Sequence, residues 1–282
     1  MHTTASDGRL TPHELVARVV AAGLTTISVT DHDTVASIDE VTAAAAASGV
    51  RVVTGIEITS IDDGRDVHML GYFFDHANPT LTEFLVSQRA LRVVRVREIA
   101  ARLAALNMPV DVDRVLLAAA ARPGSSVGRP QLARELVGAG YVESVNQAFE
   151  LWLANGRPAY VQRLGPSPAT VIETIHAAGG VASMAHPGVT RRDELIAPLV
   201  DRGLDAIEVY HSDHTPEDVM SYRHMAMRFN TLVSGGSDFH GDDPRKPGRP
   251  HRSTFGVIAL PPDDFAALEA RARLRSTETG LP

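Results

Sequence analysis

From Thr11 onward the chain alternates helix-like and strand-like segments, and nearly every strand-like run ends in a residue able to bind a metal ion. A helix running to about Ala22 precedes TTISV, an Ala-rich helix is expected over residues 34 to 48, and VRVV, GIEIT and DVHMLGYF follow as strands. Helices expected near 168 to 178, 191 to 202 and 216 to 229 then separate VASMA, DAIEVY and TLVSGG, and FGVIAL is expected as a last strand before a helix from Pro262. Strands separated by helices of this length must be joined by crossovers, so the fold class is α/β with a mainly parallel sheet. The first helix also carries its own start signal. Thr11 and Glu14 form a capping box, and Pro12 occupies the first helical position.

Between about Leu81 and Tyr160 the strand signals stop, and Arg, Ala and Leu recur at helical spacing. This predicts an inserted helical subdomain, dividing the chain into 1–80, 81–160 and 161–282. The first helix of the insertion carries Arg89, Arg92, Arg95, Arg97 and Arg102. Such a charge run reads either as a solvated face or as a partly cationic wall for an anionic substrate.

Composition narrows the chemistry. The chain has no cysteine, which removes disulfides, thiolate metal sites and cysteine nucleophiles, so any metal must be held by His, Asp or Glu. No apolar run approaches the roughly 18 residues of a membrane span, and there is no signal-peptide pattern, so the expected location is cytoplasmic with no membrane partner. A formal net charge of -7 argues against duplex nucleic acid as a partner and leaves room for a local basic patch that holds a small phosphorylated ligand.

The polar residues at the strand ends carry the functional signal. TTISV runs into Thr30-Asp31-His32-Asp33, GIEIT holds Glu57, DVHML holds His68, and VASMA runs into His186-Pro187-Gly188. IEVY leads to His211-Ser212-Asp213-His214, and TLVSGG to Ser237-Asp238-Phe239-His240. Singly, such residues are ordinarily structural; Asp33, just ahead of Thr34, reads as the cap of the next helix. Together they do not read as caps, because a cap needs one oxygen and never an imidazole. In a barrel of parallel strands the C-terminal ends converge on one face. The joint reading is a multi-metal cluster of carboxylates and imidazoles suited to zinc, manganese or iron, in which a carboxylate such as Glu57 can bridge two ions. Ions grouped in this way stabilise the negative charge of phosphoryl transfer and activate a water, so phosphoester hydrolysis is the expected chemistry. No Gly-x-Ser-x-Gly elbow or Walker loop supports a serine hydrolase or a nucleoside-triphosphatase.

In this order HTTASDG, TDHD, GIEIT, DVHMLGY, AHPG, EVYHSDH and GGSDFHGDD resemble the polymerase and histidinol phosphatase (PHP) superfamily of metal-dependent phosphoesterases. The resemblance spans almost the whole chain and implies a distorted (β/α)7 barrel with a trinuclear site. The helical insertion and the GRP at Arg129 look most like the branch of nucleoside 3′,5′-bisphosphate phosphatases and 5′-to-3′ exonucleases of short RNA. By that resemblance His2, Glu57 and Asp238 bind one ion, and Glu57, His68 and His186 a second. Asp7, His32 and His240 bind a third, so two or three divalent ions are the implied cofactors. Glu57, Asp238 and His240 are the implied catalytic residues. Arg129 is implied to contact substrate phosphate, against the plainer reading of a helix-start residue before Pro130. His211 and His214 are expected to touch substrate or to support a ligand.

Two departures from the family pattern stand out. Gln131 occupies a position where the branch often has histidine. Family members usually begin Asp-x-His-x-His, and this chain starts between the two histidines, so a first ligand and a first strand are expected to be missing and the start to be truncated or misplaced. The expected activity is hydrolysis of phosphomonoesters of nucleotides or of the 5′ ends of short oligonucleotides. The alternatives are a histidinol-phosphate phosphatase and a metal-binding module with little catalysis.

Overall fold

The computed structural model describes residues 1–122, 124–241 and 256–279. Its frame is a curled sheet with strand order β1-β2-β3-β4-β5-β6. The strands are β1 Thr26–Val29, β2 Arg51–Asp62, β3 Arg65–Tyr72, β4 Val181–Met184, β5 Ala206–His211 and β6 Leu232–Gly236. Helices α1 Pro12–Ala21, α2 Ile38–Ala46, α7 Pro168–Ala177, α9 Ile196–Asp201, α10 Pro216–Phe229 and α11 Pro262–Thr279 pack around the sheet, and α8 Pro187–Thr190 is a single turn after β4. VRVV and GIEIT, read as separate runs, are one twelve-residue strand.

The sheet is less parallel than the alternation of elements implies. β1 and β2, β4 and β5, and β5 and β6 pair parallel, but β3 is antiparallel to both β2 and β4. The cause is local: Asp62 pairs with Arg65 across Asp63-Gly64, whose φ angles of 46° and 71° are those of a two-residue hairpin turn. β2 therefore folds straight back into β3 without a crossover helix. FGVIAL departs more sharply from expectation. Residues 256–260 are not in a strand, and Phe255 lies outside the described residues. Among the described residues the sheet has six strands and does not close. Its edge strands β1 and β6 flank a cavity of about 450 Å³ lined by Ile27, Leu70, Tyr72, Phe265 and Leu268. Met1 and His2 span the gap at one end: Thr30 N donates to Met1 O, and His2 N donates to Phe239 O, each at 2.8 Å.

Two main cores position the site. Ile56, Ile58, Val67, Met69, Met184, Ile207 and Val209 line the sheet and are covered by Ile172 and Ile175 of α7. The second core belongs to the helical segment, built from α3 Pro79–Ala105, α4 Val112–Ala120, α5 Arg129–Gly138 and α6 Val145–Ala148, which continues as a π-helical turn over Phe149–Leu153. There Val96, Ile99, Leu103, Leu132, Leu136 and Leu153 pack together. Helix α3 connects the two cores. Its buried Leu81 and Leu85 join the sheet core, while Val96, Ile99 and Leu103 join the helical one. The spacing of three and four residues keeps this stripe on one face along a helix roughly 40 Å long. Among the described residues no helix is long and apolar enough to cross a membrane.

Candidate metal centre

The metal-ligand type residues converge because strand ends and the first loop meet beside the centre of β2. Glu57 lies in the fully buried stretch of β2, and an isolated parallel bridge sets His32, just beyond β1, beside it. His68 comes from β3, where it faces Thr59 across the hairpin, rather than from the end of a parallel strand. His186, Asp238 and His240 follow β4 and β6. Three residues here, Asp33, His186 and Asp238, have φ of 52°, 28° and 49°. Non-glycine residues with such angles are uncommon and collect where surrounding structure forces a side chain into a functional position.

Glu57 is the hub. Its Oε1 lies 2.5 Å from His68 Nδ1, 3.2 Å from His186 Nε2 and 3.9 Å from His32 Nδ1, and its Oε2 lies 3.2 Å from His2 Nε2. Asp238 Oδ1 is 3.0 Å from His2 Nε2 and 3.6 Å from His240 Nδ1. Asp7 stands at the far side, 3.2 Å from His240 Nε2, 3.7 Å from His2 Nδ1 and 3.9 Å from His32 Nε2. The imidazoles pack closely, with the His2 and His240 rings stacked at 4.0 Å and those of His68 and His186 edge to face at 5.2 Å.

Such crowding shifts several of these groups strongly. Burial favours neutral His2, but hydrogen bonding to Asp238 and Glu57 overrides it and raises its pKa to about 10. His186 is raised to about 9 against burial by Glu57. Burial wins at His32, which falls to about 4 in spite of Glu57 and Asp7. Burial alone would raise the carboxyls, yet surrounding imidazoles hold Asp7, Glu57 and Asp238 well below the usual carboxylate range. Protons on His2 and His186 thus supply the positive charge that the carboxylates need.

Divalent ions would supply that charge better, and the donor set fits them. Among the described residues three groups bring their ligand atoms within 4.8 Å of one another: His2, Asp7, His32 and His240; His32, Glu57 and His68; and His2, Glu57 and Asp238. Nδ1 of His2, His32 and His186 is buried in each case without a hydrogen-bond partner. Buried polar atoms are normally satisfied, so such a set in one place suits ion binding. His32 faces two groups, and His186 reaches the second only through its contact with Glu57.

The remaining candidates fall around this cluster. His211 is 1% exposed; its Nδ1 accepts from Asp213 N, and its Nε2 lies 3.5 Å from Asp238 Oδ2, so it backs that carboxylate. His214 uses both ring nitrogens within the fold: Nδ1 donates to Val209 O, and Nε2 accepts from Gly188 N. Arg129 is the first residue of α5 and also reaches across to the sheet, donating to Asp66 Oδ2 at 3.1 Å. Asp66 and His68 are two apart on β3 and share a face. Glu208, buried on β5, accepts from His186 N and was not singled out by sequence.

Asp33 is a correction. Helix α2 begins at Ile38 with Ser37 in the N-cap position, so Asp33 caps nothing. Fully buried instead, it accepts from Arg92 Nε at 2.5 Å, Arg163 Nη2 at 2.6 Å and Thr59 N at 2.9 Å. The arginines of α3 likewise divide between the two readings of that run: Arg92 and Arg95 turn inward, while Arg97 pairs with Asp113 in the open.

Comparison with known proteins agrees with this geometry. The PHP domain family matches residues 1–125. The chain is 39% identical to a 5′-3′ exoribonuclease of Haemophilus influenzae, over 85% of this chain and 88% of the relative. It is 33% identical to a 3′,5′-nucleoside bisphosphate phosphatase of Chromobacterium violaceum, over 93% and 91% of the two chains. Its fold superposes on that of a Bifidobacterium adolescentis protein assigned as a metal-dependent phosphoesterase, with a TM-score of 0.85 and 33% identity over 96% of this chain and 94% of the other. A sheet whose His, Asp and Glu side chains gather in one place, and relatives matched along most of their length, lead to one conclusion: the chain belongs to the PHP family of metal-dependent phosphoesterases.

Proposed function

We propose that this phosphoesterase removes phosphate from nucleoside 3′,5′-bisphosphates and from the 5′ ends of very short oligonucleotides. The observation that carries the reading is Arg129, a cation brought by the helical segment to the face of β3 that also bears His68. A substrate with two phosphates has one for the metal centre and a second for such a guanidinium. The names of the Haemophilus and Chromobacterium relatives describe substrates of this kind. We read residues 81–160 accordingly as an inserted subdomain that supplies the substrate side of the cleft.

In this reading His2, Glu57 and Asp238 would hold one ion, Glu57, His68 and His186 a second, and Asp7, His32 and His240 a third, with manganese, zinc or iron as the metal. Bound there, divalent ions lower the pKa of water and neutralise charge on the phosphoryl oxygens. The chain's own residues do the rest. Glu57 and Asp238 set the ligand geometry, His211 braces Asp238, and Glu208 fixes the His186 backbone. His240 would be held for its ion by its own backbone: Nδ1 donates to Asp238 O at 2.8 Å, which leaves Nε2 facing Asp7.

The test is phosphate release with manganese from adenosine 3′,5′-bisphosphate, a 5′-phosphorylated trinucleotide and histidinol phosphate. The bisphosphate should be the best substrate, and Arg129→Met should raise its KM more than it lowers kcat. Preference for histidinol phosphate, or an Arg129→Met enzyme with unchanged KM for the bisphosphate, would reject the assignment.

A further inference from the structure

His2 and Asp7 sit on the first loop, a segment without helix or strand, and an irregular loop is a poor support for ion ligands that must be placed to within about half an ångström. The structure holds this loop from both sides. On the sheet side buried Asp31 accepts from Thr3 N at 2.7 Å and from Thr3 Oγ1 and Ser6 Oγ at 2.6 Å each, and it is itself fixed by Ser37 Oγ at 2.5 Å. On the other side the helical segment donates to four successive carbonyls. Arg122 Nη1 donates to Thr4 O at 3.1 Å, Ser126 N to Ala5 O at 2.8 Å, Gln131 Nε2 to Ser6 O at 2.5 Å, and Arg134 Nη2 to Asp7 O.

Gln131 is oriented for this task. Its Oε1 accepts from Gly128 N at 2.9 Å, which leaves the NH2 end to face Ser6. Gln131 and Arg134 are three apart on α5 and so project from one side of the helix, where they meet the adjacent carbonyls of Ser6 and Asp7 in the turn of the first loop. The last of the four carbonyls belongs to Asp7, whose side chain joins His2, His32 and His240 in one ligand group.

We propose that α5 is a clasp for the metal centre, in which Gln131 and Arg134 are positioning residues that hold the loop in the register placing Asp7 among its partner ligands. This goes beyond the substrate assignment and rests only on the metal-dependent reading of the site. Coupling then runs both ways: whatever shifts the helical segment, substrate included, shifts the ion at Asp7, and loading that ion stiffens the segment against the sheet.

The experiment measures manganese stoichiometry and affinity by equilibrium dialysis with elemental analysis, for wild type, Gln131→Met, Arg134→Met and Arg134→Lys. Arg97→Met, at an exposed pair within the same segment, is the control. Amide hydrogen exchange of residues 3–9 is followed in the metal-free proteins. The clasp predicts one ion bound 10- to 100-fold more weakly in both Met variants, the usual loss when a ligand's supporting hydrogen bond is removed. The other ions should bind as in wild type, Arg134→Lys should recover most of the loss, and the loop should exchange faster with metal-free melting close to that of Arg97→Met. Wild-type affinity in both Met variants, with wild-type loop exchange, overturns the clasp and leaves the metal reading standing. Loss of every ion together with a lower metal-free melting temperature overturns it in favour of a purely structural role. A wild-type chain that binds no manganese would overturn the metal reading and the clasp with it.

Discussion

Replacing Asp33 by alanine removes the carboxylate that two buried guanidinium groups share. The Asp33 side chain is 0% exposed, and those of Arg92 and Arg163 are 10% and 7% exposed, so neither arginine can turn to bulk water without moving the segment that carries it. Stripping one partner from a buried ion pair typically costs about 3–5 kcal/mol, because the remaining charge stays desolvated. Thr59 N would also lose its acceptor, which lies inside that figure. Asp33→Asn keeps an oxygen for Thr59 N but turns an amide toward two cations, so it should recover no more than about 1 kcal/mol.

The assay is urea denaturation followed by circular dichroism and by the fluorescence of Trp152, the sole tryptophan, which packs against the helical core. Since Arg92 belongs to α3 and Asp33 to the sheet side, the transition seen by Trp152 should fall with the global one. The pH dependence gives an independent magnitude. Burial would raise the Asp33 carboxyl, but Arg92 and Arg163 pull it down to about 2. A carboxyl depressed in the folded state contributes its full stabilisation above its ordinary value near 4 and loses it as pH falls toward 2, which amounts to about 2 kcal/mol. The difference between wild type and Asp33→Asn should therefore shrink by about that amount between pH 5 and pH 2. A loss below about 1 kcal/mol at pH 7, or a difference that does not change with pH, would refute the account of this cluster.

Other consequences are more direct. Asp238→Ala, which deletes a ligand-type carboxylate 3.0 Å from His2, should lower phosphate release at least about 100-fold while the melting temperature of the metal-free protein changes little; near-normal turnover would sink the assignment of that residue. Because His2 and His186 carry raised pKa values of about 10 and 9 without metal, ions must expel their protons on binding. Manganese affinity should therefore rise between pH 6 and pH 8 by up to about tenfold per unit for each proton released, and a flat profile would show that these imidazoles are not ligands. Gly8→Ala would place a Cβ 2.4 Å from His2 O, a backbone atom that cannot swing aside, so the variant should lose ion affinity at the first loop; wild-type affinity would mean that the loop tolerates a shift.

Much of this site could be read from one dimension, and the part that could not has a physical reason. Imidazoles and carboxylates at the ends of apolar runs stand out because neither residue type is needed there for folding. Their convergence beside Glu57 follows from strands lying side by side. Asp33 was opaque because its role depends on Arg92 and Arg163, 59 and 130 positions away, while its nearest neighbours look like the start of a helix. Gln131 stood out only as an unusual residue, since its contact with Ser6 spans 125 positions. The antiparallel β3 had a local signal in Asp63-Gly64, but the long alternation of strands and helices outweighed two turn residues. FGVIAL shows the converse, an apolar β-prone run that forms no strand over residues 256–260. β-propensity describes how well a residue fits a strand, and pairing still requires a partner edge in register.

The most direct test of the central claim is metal content and phosphate release measured on the same preparation before chelation, after it and after manganese is restored. The account predicts two or three ions per chain, hydrolysis of adenosine 3′,5′-bisphosphate that disappears when they are removed, and recovery on their return. Undiminished hydrolysis by the chelated, ion-free protein would contradict it.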